Sequence, residues 1–383
     1  MISEVKLFIY SADNINMKRA IIKSYLNISK LFSPKESEMQ KEIFSQPSVI
    51  SKLFERYVNA DGQIMINLPL FINRVVLIAS GSSYNCAAII SYLMREYAHI
   101  STQSLYASEF AQIPSYEVEK DTLYVFISQS GETTDTLLAL DRVKADSDKT
   151  LCVTNNQDSK LFTKAHYKLL TYAGIEKSIA ATKSLSSQLF VLCLLIGKIM
   201  QLKGLDTSGF LEDLKNIPSI MENVLKDTSD IKKAARRLAC YNNISLLGSG
   251  CFYPLAKEGA LKIREVSYLN TNAYPTGEFL HGHVAALNKR TAVVAILSEF
   301  NKDFGVNILK KIKNDYSPLL FIISDIPNCD SELKPDYSIK FGYENDIFLL
   351  FSTLLILQLT SLETGIKLKR NIDKPSGLNK VVK

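Results

Sequence analysis

The chain has 383 residues, of which 46% are hydrophobic, 9% aromatic and 22% charged, the proportions of a globular protein with room for two domains and their cores. Collagenous, largely disordered and acidic-tail classes are excluded. Lys and Arg (45) exceed Asp and Glu (39), a formal net charge of +6. The basic residues are scattered in short pairs such as Lys232-Lys233 and Arg236-Arg237, whereas nucleic-acid proteins concentrate them in stripes with interleaved aromatics. No nucleic-acid partner is therefore expected, and the surplus suits small anionic substrates as well as solvent.

Residues 1–38 are mixed, without a period, and carry the breaker Ser33-Pro34; they read as an N-terminal extension. The start, MISEVKLFIY, has an acid at Glu4 and no secretory cleavage pattern. Glu38 to Tyr57 reads as a helix interrupted near Pro47. Arg74–Ser80 is a continuous apolar run, the pattern of a strand buried on both faces, and a helical spacing follows from Asn85 to Tyr97. Leu123–Ser128 and Thr150–Thr154 repeat the strand signal, Thr136–Lys144 the helical one, and Lys183–Leu202 is a long apolar helix.

Residues 206–241 look like a helical connector. Ile244–Gly250 then restates the first strand and its small-residue loop, strands follow at 291–297 and 318–324, and a buried helix runs from Asp346 to Leu362. The alternation predicts an α/β protein of two tandem doubly wound parallel-sheet domains, 39–205 and 206–383, with an internal duplication as the simplest account. The longest apolar run, Ile347 to Leu359, contains Ser352, Thr353 and Gln358 and is too short to span a bilayer. Six scattered cysteines without a CxxC pattern read as buried free thiols of a reducing compartment. A soluble cytoplasmic protein with no membrane partner is expected.

Four stretches stand out chemically. Gly81-Ser82-Ser83 and Ser128-Gln129-Ser130-Gly131-Glu132-Thr133-Thr134 both lie where a parallel strand gives way to a helix, the place where open α/β sheets bind ligands. Helix N-termini and short hydroxyls suit a compact phosphate monoester. Neither loop contains Lys or Arg, and no P-loop or complete Gly-rich dinucleotide pattern occurs, so no nucleotide cofactor is expected. The bland alternative is that these hydroxyls only cap helices. Glu258, Lys262 and Glu265, spaced i, i+4, i+7, share one helix face; this is either a surface ion-pair stripe or a carboxylate–lysine site for general acid–base work. Tyr274–His283 holds His281 and His283, two of the four histidines, in a Gly-containing loop. They are too close together, with only Glu278 to help, to ligate a metal, and none is expected. The tail, 371–383, carries no chemical signal of its own.

Taken together, Ser128–Thr133, Gly174-Ile175-Glu176 through Ala181-Thr182-Lys183, Glu258–Glu265 and Gly277–Gly282 resemble the isomerase half of the glucosamine-6-phosphate synthases, a pair of sugar-isomerase domains. Residues 39–47 (MQKEIFSQP) resemble the helix that opens that half, and Asp373–Lys380 its closing tail. The resemblance implies that Ser83, Ser128, Gln129, Ser130 and Thr133 hold the phosphate of a hexose 6-phosphate and that Ile179 and Ala181 line the sugar. It implies that Glu265 moves a proton between C1 and C2 with Lys262 beside it, and Glu258 is counted among the substrate-binding residues. His281 would assist ring opening from the neighbouring subunit of a homodimer, and Lys380 would reach the carbonyl carbon as the tail folds over. The implied reaction interconverts fructose 6-phosphate and glucosamine 6-phosphate. The alternatives are a fructose-amine 6-phosphate deglycase and a non-catalytic sugar-phosphate sensor. Two positions depart from the family: Ser376 stands where an arginine is usual, and His283 where a proline follows the His-Gly pair. No room for a glutaminase domain exists in residues 1–38, so ammonia is expected free or from a separate ammonia-supplying protein.

Overall fold

The continuous apolar runs become the middle strands of two parallel sheets, and the alternation of side chains along each strand explains why the runs are unbroken. On the first strand Val75 and Leu77 enter a central core, whereas Val76 and Ile78 pack in a second cluster on the other face. The structure, a computed structural model, describes residues 36–380 apart from 115, 327 and 328. The N-terminal extension, but for its last residues, lies outside them.

Helices α1 (Glu38–Phe44) and α2 (Gln46–Tyr57) lead into β1 (Arg74–Ala79), α3 (Gly81–Tyr97), β2 (Ser101–Tyr106), α4 (Ala107–Gln112), β3 (Thr122–Ile127), α5 (Thr134–Lys144), β4 (Thr150–Thr154), α6 (Lys160–Lys164) and β5 (Tyr167–Leu170). Then come α7 (Lys183–Leu202), α8 (Ser208–Lys226), α9 (Ser229–Leu238), β6 (Asn243–Gly248), α10 (Phe252–Ser267), β7 (Asn270–Pro275), β8 (Thr291–Leu297), α11 (Lys302–Tyr316), β9 (Leu319–Ser324), α12 (Cys329–Leu333), β10 (Tyr337–Lys340) and α13 (Asp346–Lys367). The sheets are five-stranded, in the orders β2-β1-β3-β4-β5 and β10-β9-β8-β6-β7, the same order read from opposite edges. Every pairing is parallel. This is the two-fold α/β architecture expected from the alternation.

Four strands were not visible in the sequence: β2, β5, β7 and β10 lie at the sheet edges. They are short and partly exposed, and two of them, STQSLY and NTNAYP, are polar. An edge strand buries less of its surface, so it needs no apolar run. The helix foreseen over 38–57 is two helices, with Pro47 in the first turn of α2, where its missing N–H is harmless. The 206–241 connector is α8 and α9, which pack on α13.

Between the sheets, α3, α7, α10 and α13 share one core. Helices α7 and α13 are long and apolar enough to cross a membrane, but 83% and 89% of their most apolar windows are buried inside the protein. A buried polar chain ties the layer together. Gln46 donates to Gln358 at 2.6 Å, Ser186 donates to Gln46, and Gln358 donates to the Thr182 carbonyl at 3.4 Å.

Candidate active site

After β1 the chain crosses to β2 on one side, then returns to β3 on the other, so the loops leaving β1 and β3 open a crevice at a topological switch point. The first loop turns through Gly81, φ +56°, into α3, whose N-cap Ser80 makes no side-chain cap bond. The second turns through Gly131, φ +67°. A Cβ at this glycine would stand 2.2 Å from Ser159 Oγ, so both backbone and space demand glycine. Around that turn Ser128 Oγ lies 2.9 Å from Thr133 Oγ1 and accepts from Gly131 N–H at 3.1 Å, while Ser130 Oγ accepts from Glu132 N–H at 3.2 Å. Thr133 is the N-cap of α5 and likewise makes no side-chain cap bond. Two helix N-termini and a ring of hydroxyls thus meet in one place, a set of donors without a fixed cation. Ser83 is turned by α7: its hydroxyl donates to Gln188 Oε1 at 3.0 Å.

The opposite wall comes from the second half. Glu258, Lys262 and Glu265 do share one face of α10, and the face is not a solvated stripe. Lys262 and Glu258 are each 1% exposed, while the Glu265 side chain keeps 21% of its surface. Lys262 Nζ donates to Glu265 Oε2 at 2.5 Å and lies 3.5 Å from Glu258 Oε1. Asn85, on α3, donates to Glu258 Oε2 at 2.8 Å. Burial pushes the Glu258 carboxyl above its usual range, against the pull of Lys262 and Asn85. Burial alone would lower Lys262, but Glu265 and Glu258 outweigh it and hold the ammonium above its ordinary value. A fixed cation therefore orients Glu265, the carboxylate of the three that reaches open space.

The third wall is the segment before α7 and the chain's tail. Glu176 accepts from Thr182 N–H at 2.9 Å, Ser184 N–H at 3.0 Å and Ser184 Oγ at 2.6 Å, and binds Lys380 Nζ, which also donates to the Ser178 carbonyl at 2.8 Å. Asp373 anchors the base of the tail: its carboxylate accepts from Glu38 and Met39 N–H at 3.0 and 2.9 Å, and its carbonyl from Ile179 N–H at 3.0 Å. From α1, Glu42 holds Ser178 by its hydroxyl and Lys177 by its N–H.

These walls enclose a cavity of about 450 Å³. Ser83, Ser128, Gln129, Ser130, Thr133, Ile179, Ala181, Lys262, Glu265 and Lys380 all line it, together with Glu176 and Ser184. Glu258 sits behind Lys262. His281 is not brought there: it stands exposed between the 3-10 turns Glu278–Leu280 and His283–Ala286. His283 packs against Tyr274, the rings tilted by 35° with centres 4.3 Å apart. The reading of the residues gave no role to Asn85, Gln188 or Glu176. Among the described residues no group of three or more His, Cys, Asp or Glu is placed to hold a metal ion.

Fold and cavity together define a duplicated, all-parallel α/β protein whose single described crevice of this kind offers anion donors on one side and an acid–base face on the other. The sequence pattern of the SIS domain matches residues 72–198 and 237–325, and the chain belongs to that family. It is 32% identical over 401 residues to a glutamine--fructose-6-phosphate aminotransferase [isomerizing] of Buchnera aphidicola, an alignment covering 100% of this chain and 64% of that protein. The chain thus spans less than two thirds of the length of such relatives. Among solved structures it resembles the C-terminal domain of glucosamine-fructose-6-phosphate aminotransferase from Francisella tularensis, with a TM-score of 0.83, 29% identity, and coverage of 89% of this chain and 99% of that one. It also resembles a glucosamine-6-phosphate deaminase from Thermotoga maritima, with a TM-score of 0.72, 25% identity, and coverage of 90% and 99%.

Proposed function

We propose that this protein is an enzyme that interconverts fructose 6-phosphate and glucosamine 6-phosphate, adding or removing ammonia at C2. The observation that carries the reading is the placement of the Lys262–Glu265 pair in the same cavity as the Ser128–Thr133 hydroxyl pair. The hydroxyls and helix N-termini take the phosphate with Ser83, Gln129 and Ser130, leaving the sugar along Ile179 and Ala181. Ammonia condenses at the C2 carbonyl with loss of water, and Lys380 meets that carbonyl carbon from the tail. Glu265 takes a proton from C1 and returns it to C2, giving the amino-aldose; run backwards, the same steps release ammonia. Lys262 keeps the carboxylate aimed and compensates its charge, with Glu258 behind it.

Each sheet with its helices is read as one sugar-isomerase domain, 39–205 and 206–383, in a cytoplasmic homodimer. His281 opens the sugar ring in the partner's cavity, and ammonia arrives free or from a separate supplying protein. Proton NMR of the purified protein with fructose 6-phosphate, with and without ammonium, and with glucosamine 6-phosphate tests the reaction. No turnover of either sugar under any of these conditions defeats the reading. The shared site is tested by mixing Glu265→Gln and His281→Ala proteins. With subunit exchange, half the dimers are mixed and each has one intact site, so about a quarter of normal activity returns.

A further inference from the structure

The carboxylate of Glu176 is the most enclosed acid in the cavity wall, its side chain having 0% exposure. Four of its five donors belong to the start of α7, namely the N–H and hydroxyl of Thr182 and the N–H and hydroxyl of Ser184. None of these four involves the tail. The fifth is Lys380, 204 residues further on and 26% exposed, which binds Glu176 and the Ser178 carbonyl. The rest of the tail is held by single neutral bonds: Lys374 N–H to Asn371 Oδ1 at 3.1 Å and Ser376 N–H to the Tyr268 hydroxyl at 2.6 Å. The only buried, charge-assisted tie at the tail's far end is therefore the one to Glu176, among the described residues, and such ties are the strong ones.

We propose that Glu176 is a positioning residue, a preformed anionic socket that seats Lys380 and so closes residues 374–380 over the cavity. The proposal rests on the reading of Lys380 as a group that meets the substrate. A buried carboxylate without its cation is costly, so the seated tail is favoured before any ligand arrives. Burial opposes ionisation of Glu176, yet Lys380 and the Ser184 hydrogen bonds outweigh it and keep the carboxyl below its ordinary range. Gly377, Leu378, Asn379 and Lys380 then form one side of the cavity.

Glu176→Gln separates socket from helix cap. The amide oxygen still accepts from Thr182 and Ser184 N–H, and Ser184 Oγ turns to accept from the new amide, but the charge that seats Lys380 is gone. Lys380→Met breaks the same tie from the exposed side, leaving the α7 cap bonds of Glu176 in place. Hydrogen exchange of the full chain, read by mass spectrometry over 374–380, is expected to speed up about 10-fold in both variants, the weight of one charge-assisted hydrogen bond. The double variant should exchange no faster than either single one. In steady state Glu176→Gln should lower kcat about 10-fold, with KM for the sugar phosphate within two-fold, and should have no further effect in a Lys380→Met background. Unchanged tail exchange in both variants, or a Glu176→Gln protein that loses thermal stability while its tail stays protected, overturns the socket. Faster tail exchange in both variants with undiminished kcat would support the socket and instead overturn the role given to Lys380.

Discussion

The chain leaves β1 through Gly81 at φ +56° and leaves β6 through Gly250 at φ +57°, two turns of one geometry, each opening a long helix in a sheet of the same strand order. The halves part company at the next loop. After β3, six residues wrap a hydroxyl ring before α5 begins. After β8, a 3-10 turn, Glu299–Asn301, runs straight into α11. Two of its N–H groups are spent internally: Ser298 N–H donates to Asn301 Oδ1 at 3.2 Å and Glu299 N–H to Asp325 Oδ1 at 3.0 Å. Where the first half has Gln129 and Ser130, the second has Glu299 and Phe300. An acid-lined, filled loop cannot cradle a phosphate. The second half instead lends its helix α10 to the first half's crevice; on the proposed function, one copy of the fold supplies anchoring and the other supplies proton transfer. Identical topology thus leaves function to the loops.

That division predicts a split in the kinetics. Glu265→Gln should lower kcat by about 10³-fold, within the range of general-base losses, with KM nearly unchanged. A loss confined to KM would place the proton-transfer group outside α10. In the cradle, Ser128→Ala with Thr133→Val should raise KM by about 10²-fold or more, since each charge-assisted hydrogen bond is worth roughly 1.5–3 kcal/mol. Ser298→Ala in the other half should leave KM where it was. Equal effects of the two substitutions would erase the asymmetry.

Asp325 sharpens the comparison through pH. Burial pushes its carboxyl up to about 6 from 3.8. A raised acid favours the folded state below its unfolded pKa, and that contribution is lost as pH climbs through 6. Asp325→Asn, which can still accept from Glu299 N–H, should therefore be the more stable protein at pH 7.5, by up to about 2–3 kcal/mol, with the gap closing by pH 4. Urea titrations at the two pH values measure it. The smallest effect expected is in the paired turns. Gly81→Ala and Gly250→Ala meet no atom within 4 Å but are strained at positive φ, so each should cost about 1 kcal/mol of stability. Only the first should also weaken binding of the sugar phosphate.

How much of this was legible in the sequence depends on what each feature buries. β1, β3, β8 and β9 announce themselves because both faces are covered; β2 and β7 do not, because STQSLY and NTNAYP lie at edges. The spacing of Glu258, Lys262 and Glu265 placed them on one face, but not whether that face was wet, since the covering residues come from α3, more than 160 residues earlier in the case of Asn85 to Glu258 (173 apart). Glu176 falls inside a family motif but carries no chemical signal of its own in the sequence; its partner Lys380 lies beyond the reach of any local pattern. The tail had no signal in its own composition, and only the family resemblance singled it out.

The tie between Asp373 and the first N–H groups of α1 spans 335 positions, from Glu38 to Asp373. During synthesis, which proceeds from the N-terminus with domains folding as units, the first sheet can form while α1 still lacks its acceptor and the cavity lacks a wall. The bonds that close the pocket wait for residues translated more than 300 positions after α1. A nascent chain can therefore be largely folded yet hold no closed site until residues 373–380 have emerged and docked.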